Sequence, residues 1–186
     1  MITSIFILGH LAADFLFQPS KLVAWKERSW LGVLVHVLVL LIILTALFVP
    51  YLNQGGMWIG LAVVVFTHFV QDWLKVWYDK KFNTGKNIYP FFIDQFFHIG
   101  IIIFVSGYLG ETLYQPVFNK IYFNENIYVY LSLLILFSYA LDIVIYQIRR
   151  RKNPDLKYKR RYDYMSKGLL AFAMFYIIFL LAGRSL

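Results

Sequence analysis

Histidine and aspartate occur in pairs along the first half of the chain, at a spacing that could bind a metal ion. His10 lies four residues before Asp14, and His68 lies four residues before Asp72. On an α-helix this separation puts both side chains on one face, where they can share an ion or the carboxylate can orient the imidazole. A reversed pair and a lone histidine complete a set of seven candidate metal ligands: His10, Asp14, His36, His68, Asp72, Asp94 and His98.

The residue types narrow the choice of metal. Imidazole and carboxylate groups suit zinc, iron or manganese, and the chain has no cysteine that could supply a thiolate. Seven candidates exceed the four ligands of one tetrahedral zinc, so we expect one or two divalent ions, with zinc favoured. Gln18, Gln71 and Gln95 lie beside the pairs and are predicted to hydrogen-bond to the ligands. A metal-free proton relay and a purely structural hydrogen-bond network are the alternatives.

The elements that must position these residues are strongly apolar. Of the 186 residues, 60% are hydrophobic and 15% are charged, and polar stretches interrupt the apolar runs at intervals that suit repeated membrane crossings. This pattern predicts an all-α membrane helix bundle of about six transmembrane helices, forming one domain over residues 1–186. The predicted spans cover residues 2–17, 31–49, 57–78, 90–109, 127–148 and 168–182, with a surface segment at 21–30.

The basic residues are distributed unevenly over the connections. Of the 18 lysines and arginines, all but Lys120 and Arg184 lie in the connections after the first, third and fifth predicted spans. By the positive-inside rule, these connections are cytoplasmic and both termini are outside. The most basic connection, residues 149–167, is expected to attract anionic lipid headgroups rather than nucleic acid. The candidate ligands then fall in one layer, near the cytoplasmic ends of the helices.

A short repeat links the first four predicted spans. The pattern H-x-x-x-D-aromatic-L begins at His10 and again at His68, and the same offset carries His36 onto Asp94. Each copy would be a two-helix hairpin, and the two hairpins would be parallel repeats. Two short matches are also compatible with coincidence, so a hairpin repeat is one of two interpretations.

These motifs resemble a known bacterial family. The segment H-x-x-x-D-F-x-x-Q-P at residues 10–19, the single His36, H-x-x-x-D at 68–72 and D-Q-x-x-H at 94–98 resemble the family called domain of unknown function 3307. The resemblance covers the core motif region, residues 1–105. It implies a bacterial inner-membrane protein and carries no established activity. In residue types and helical setting, the pattern is also similar to small membrane-bound metal-dependent hydrolases.

Three functions are compatible with a buried cluster of this kind. The favoured one is a metal-dependent hydrolase acting on a lipid-linked ester at the cytoplasmic leaflet, with Asp142 or an unligated aspartate of the cluster as the proton acceptor. Lys75 would lie near the lipid headgroup. The alternatives are a divalent-cation or proton-coupled transporter and a di-iron membrane oxidase. Four histidines are few for the oxidase.

Overall fold

A computed structural model describes residues 1–82, 84, 88–153, 156–157, 159 and 162–182, with side chains in the last helix up to Met174. The helices are α1 (Ile2–Leu11), α2 (Ser20–Lys26), α3 (Trp30–Leu47), α4 (Gly55–Phe82), α5 (Tyr89–Thr112), α6 (Glu125–Ile135), α7 (Leu141–Lys152) and α8 (Tyr162–Ala182). Two π-helical turns, Ala12–Leu16 and Leu136–Ala140, extend α1 and join α6 to α7. The prediction of an all-α membrane protein is confirmed, since several of these helices are long and apolar enough to cross a bilayer.

By length and composition, four or five membrane spans of the predicted six are found in the described part of the chain. Among the described residues, four segments have the length and apolarity of a span: α3, α4, α5 and the continuous stretch Glu125–Lys152. The stretch Ile2–Leu16 and α2 together would give a fifth, although they are bent by 94°. The predicted sixth span falls on α8, where the described apolar part, Met165–Met174, is shorter. The sixth crossing therefore stays a prediction.

The first predicted span ends in a sharp change of direction. Pro19 has an extended backbone (φ −67°, ψ 156°) and precedes α2, so the chain leaves the axis of α1 there. Helix α2 then packs closely on α3. A Cβ atom at Gly32 would lie 2.5 Å from the carbonyl carbon of Trp25, which only glycine permits. This approach holds α2 beside the N-terminal half of α3.

Two helix boundaries extend beyond the predicted spans. The predicted third span ends at residue 78, but α4 continues to Phe82. In the basic connection, α7 runs to Lys152 and α8 begins at Tyr162, so the loop within residues 149–167 is shorter than predicted. Lysine and arginine are good helix formers, and a helix that leaves the apolar region can continue through them.

The predicted hairpins are packed as pairs. Helix α1 contacts α3, and α4 contacts α5, while α1–α5 and α3–α4 contacts join the two pairs. Along the chain, helix α2 connects the two members of the first pair. The matching connection of the second pair includes residues 83 and 85–87, which lie outside the described residues. The hairpin repeat therefore stays a prediction.

The end of the bundle that holds the C-terminus of α3 is closed by packed aromatic and apolar groups. The Tyr122 hydroxyl donates to the carbonyl oxygen of Leu47 at 2.9 Å, and Tyr128 donates to the Tyr122 carbonyl oxygen at 2.7 Å. Burial raises the pKa of Tyr122, so its hydroxyl stays a neutral donor. Between this end and the histidine layer, the core consists of buried apolar side chains that include Phe6, Leu40, Leu44, Leu61 and Ile102.

Candidate metal centre

The seven candidate ligands lie together in one buried cluster. Each is 7% exposed or less. Helix α1 and its π-helical turn supply the first pair, α3 supplies His36, α4 supplies the second pair, and α5 supplies Asp94 and His98. The four-residue spacing directs both members of each pair into the bundle. Their metal-binding role stays a prediction, but four helices bring their side chains to one place.

Two imidazole nitrogens of the cluster each lie close to two carboxylate oxygens. The Nε2 atoms of His36 and His68 are 3.1 Å apart. Asp14 Oδ1 lies 3.2 and 3.4 Å from them, and Asp72 Oδ2 lies 3.5 and 3.7 Å from them. Four ligands at about 2.0–2.1 Å from a zinc ion would be about 3.4 Å from one another. The distances from each carboxylate oxygen to the two nitrogens are therefore those of ligands that share an ion.

Hydrogen bonds on the far side of the His36 ring set its tautomer. With the Gln18 amide oriented to satisfy its neighbours, its oxygen accepts from His36 Nδ1 at 3.3 Å and from Lys26 Nζ at 2.9 Å, while its nitrogen donates to the Asp14 carbonyl oxygen at 3.1 Å. A protonated Nδ1 leaves a lone pair on Nε2, which faces His68 and the two carboxylates. Metal-ligating histidines are usually held in this way by the other ring nitrogen.

A second group of donors adjoins the set formed by His36, His68, Asp14 and Asp72. Asp72, Asp94 and His98 each offer a ligand atom, and these atoms lie within 4.8 Å of one another. His98 Nδ1 donates to the backbone carbonyl of Asp94 at 2.8 Å. Among the described residues, no group hydrogen-bonds to His98 Nε2 or Asp94 Oδ1, although both atoms are buried. Buried donors and acceptors are rarely left unpaired, so these two atoms fit a group that protein atoms do not supply.

His10 lies against the same cluster. Its ring stacks on His98 with the centroids 5.1 Å apart, and its Nε2 lies 3.3 Å from Gln95 Oε1. The Gln95 amide nitrogen donates to Asp14 Oδ2 at 3.2 Å and to Asp94 Oδ2 at 3.3 Å. Gln95 therefore bridges the two carboxylates that belong to different donor groups. Gln18 and Gln95 hydrogen-bond to candidate ligands, whereas Gln71 Oε1 is buried without a hydrogen-bond partner in the described part of the chain. Their role around a metal stays a prediction.

Two lysines compensate part of the buried negative charge. Lys26 Nζ lies 2.6 Å from Asp72 Oδ2, and Lys75 Nζ lies 3.6 Å from Asp94 Oδ2. The third carboxylate, Asp14, is surrounded by imidazoles and the Gln95 amide rather than by a lysine or arginine among the described residues. A buried carboxylate needs a compensating positive charge, which either a protonated imidazole or a metal ion can supply. The donor set thus fits a divalent cation.

Lys26 is the one residue of this cluster that the sequence did not indicate. The composition of residues 21–30 predicted a segment on the membrane surface. The pairing of Lys26 with Asp72 depends on the bend between α1 and α2. Asp142, the predicted proton acceptor, is buried near the start of α7. It belongs to none of the donor groups within the described residues. Its catalytic role stays a prediction without geometric support.

A cavity of about 110 Å³ opens from the cluster on the side of α2 and α7. Its wall includes all three cluster carboxylates and the cations Lys26, Lys75 and Arg150. Arg150 Nη1 pairs with Glu27 Oε1 at 3.0 Å at the rim. The volume is well above the roughly 10–15 Å³ that one water molecule requires. On the opposite side of the histidines, the packing leaves a void of only about 10 Å³.

A comparison with protein families shows which family the chain belongs to. The sequence model of the family described as Protein of unknown function (DUF3307) matches residues 2–127. The chain belongs to the DUF3307 family. The matched region of this chain contains all seven candidate ligands as well as Lys26 and Lys75. No curated protein and no solved structure matches the chain.

Proposed function

We propose that this DUF3307 protein is a metal-dependent hydrolase of the bacterial inner membrane that cleaves a lipid-linked ester at the cytoplasmic leaflet. One observation carries the proposal: in a buried site, two imidazole nitrogens lie 3.1 Å apart and two carboxylate oxygens each lie 3.2–3.7 Å from both of them. Without a cation, the lone pairs of these nitrogens and oxygens repel one another unless a proton on an imidazole lies between them. A divalent ion would bind the same lone pairs and relieve this repulsion. The basic connections would face the cytoplasm and both termini would be outside.

The donor groups divide into two sites in this proposal. His36, His68, Asp14 and Asp72 would hold one ion, and four such ligands are the number that zinc prefers. Asp72, Asp94 and His98 would hold a second ion with fewer protein ligands. Asp72 would then contribute to both sites. Iron or manganese in place of zinc is compatible with the same ligands.

The chain's own residues would perform the remaining steps. A bound divalent ion would polarise the ester oxygen and lower the pKa of a water molecule, which could then lose a proton and attack. Asp94 would hold the ion through one carboxylate oxygen, and its other oxygen would take the proton from that water and return it to the leaving alcohol. Lys75 and Arg150, on the cavity wall, would hold an anionic headgroup in place. Asp142 is the alternative proton acceptor.

Packing beyond the histidine layer favours an enzyme over a transporter. A transporter must open its ion site to both sides of the membrane. Here the cavity opens on the side of α2 and α7, while the region beyond the histidines is filled by residues such as Leu40, Leu44 and Ile102, each 2% exposed or less. A hydrolase requires access from one side alone.

Metal analysis of matched variants tests the proposal. We expect the purified protein to contain one or two equivalents of a divalent metal and to release product from phosphate or carboxylate ester lipids. His36→Ala should lose metal and activity, while Thr45→Ala, on the same helix and away from the cluster, should keep both. Metal-free protein with full ester-cleaving activity would rule out the metal-dependent mechanism. Proton-driven zinc or manganese uptake into vesicles, lost in His36→Ala, would replace the hydrolase with a transporter.

A further inference from the structure

A second and larger cavity lies in the groove between α4 and α5. Its volume is about 550 Å³, within the roughly 300–1,000 Å³ usual for small-molecule sites. Its apolar wall includes Leu74, Trp77, Ile93 and Phe97, which are 46–55% exposed. Helices α4 and α5 are both long and apolar enough to cross a membrane. The open side of this α4–α5 groove would therefore meet lipid rather than water.

The groove joins the cavity of the candidate metal centre. Lys75, Pro90 and Asp94 line both. The charged groups of the groove are thus concentrated where it reaches the centre, with Lys75 Nζ 3.6 Å from Asp94 Oδ2. Along the rest of the groove, aliphatic and aromatic side chains predominate. This gradient from an apolar wall to one ammonium group matches the structure of an anionic lipid.

We propose that the α4–α5 groove binds one hydrocarbon chain of a membrane lipid with a phosphate ester headgroup, which reaches the metal centre sideways from the bilayer. The inference rests on the proposed function, since it takes this lipid to be the substrate. The hydrocarbon chain gains apolar contacts with Leu74, Ile93 and Phe97. The phosphate gains a charge-assisted hydrogen bond from Lys75. A water-soluble ester would need no apolar wall leading to the site.

A second protein helix is a poorer occupant of the groove. It would place a peptide surface against the Lys75–Asp94 pair and close the connection to the metal centre. Leu74, Ile93 and Phe97 can accept a narrow hydrocarbon chain without covering that pair. A second copy of the chain is accordingly an outcome that the test must detect, and it would contradict the proposal.

Photo-crosslinking to a labelled lipid tests the groove directly. A benzophenone amino acid replaces Ile93 in the groove or, as the matched control, Ile42 on α3, which is 68% exposed and lies outside the groove. The probe is radiolabelled phosphatidic acid, present as a minor component of phosphatidylcholine vesicles. We expect crosslinks at Ile93 to be enriched roughly tenfold over the probe's share of the bilayer, as one charge-assisted contact would produce, and crosslinks at Ile42 to follow that share.

Substitution of the lysine separates specific binding from general lipid contact. Lys75→Ala should remove the enrichment at Ile93, whereas Lys75→Arg and the surface control Lys81→Ala should retain it. Crosslinks at Ile93 that only follow bilayer composition would overturn the proposal, as would enrichment that survives Lys75→Ala. Crosslinks to a second copy of the chain would do the same. If Lys75→Ala does not fold, the comparison between Ile93 and Ile42 still decides.

The same experiment distinguishes failure of the groove from failure of the hydrolase. Lipid crosslinking requires no metal and is measured with and without a chelator. Enrichment at Ile93 without any ester cleavage would support the groove and remove the proposed reaction. Cleavage of a water-soluble phosphate ester without enrichment at Ile93 would support the reaction and overturn the groove.

Discussion

Lys26→Met should strengthen metal binding while it weakens the metal-free protein. Lys26 Nζ lies 2.6 Å from Asp72 Oδ2, and the two side chains are 13% and 2% exposed. Removing one partner of a buried pair costs about 3–5 kcal/mol, because the other charge is left uncompensated. Since Lys26 is slightly exposed, we expect about 3 kcal/mol. A divalent ion competes with the ammonium for the same oxygen, so it should restore in the variant the compensation that methionine cannot give.

The expected increase in zinc affinity follows from the competition between the ion and the Lys26 ammonium. If an ion recovers most of about 3 kcal/mol, zinc should bind the variant up to about a hundredfold more tightly than the wild type. Thermal unfolding, followed by tryptophan fluorescence in detergent with chelator and with increasing zinc, measures both effects. The variant should unfold at a lower temperature in chelator and show the larger zinc-induced rise. Lys21→Met, an exposed lysine on the same helix, is the control and should behave as the wild type.

The metal-free interpretation predicts the opposite response. If protonated imidazoles balance the carboxylates, Lys26→Met leaves Asp72 uncompensated and zinc gives no added stability. Zinc binding that is unchanged or weaker in the variant would refute the reasoning that Asp72 is a shared metal ligand. The site would then be a hydrogen-bond network or a proton relay.

Three further predictions concern ligands, packing and topology. His68→Ala should abolish stoichiometric metal binding, measured by elemental analysis, without preventing membrane insertion. Gly32→Ala should lower stability by about 1–3 kcal/mol and weaken metal binding, since the added Cβ would displace α2, whereas Gly100→Ala, which meets no atom within 4 Å, should be neutral or stabilising. Reporter fusions should be active outside after Asn124 and inside after Asn153, and the reverse pattern would contradict the positive-inside assignment.

Helical periodicity made much of this arrangement predictable. Polar side chains four residues apart in an apolar helix must face another polar group, and His10/Asp14 and His68/Asp72 do so. The turn at Pro19 followed from the missing backbone N–H and the fixed φ of proline. Helix ends were less predictable, because α4 continues to Phe82, beyond residue 78 where the predicted span ends. Apolarity reports where a membrane span can lie, while the helix continues as long as backbone hydrogen bonding allows.

The pairing of Lys26 with Asp72 could not be read from the sequence. It depends on a 94° bend, on the π-helical turn that carries Asp14, and on the close contact of α2 with α3 at Gly32. None of these three features is marked by a periodic pattern of residues in the sequence. Lys26 also has the composition of an ordinary surface lysine. Asp142 was predicted from its similar height in the bundle to act as a proton acceptor. The donor groups in the described part of the chain do not include it, and its role stays a prediction.

The distribution of charge around the cluster connects the fold to the proposed chemistry. Asp72 and Asp94 are each paired with a lysine, and both lysines line the cavity that opens from the cluster. Asp14 lines the same cavity and lies against His36 and His68 rather than a lysine. If an anionic ester enters the cavity, as we propose, Lys26 and Lys75 reduce its repulsion from the three buried aspartates.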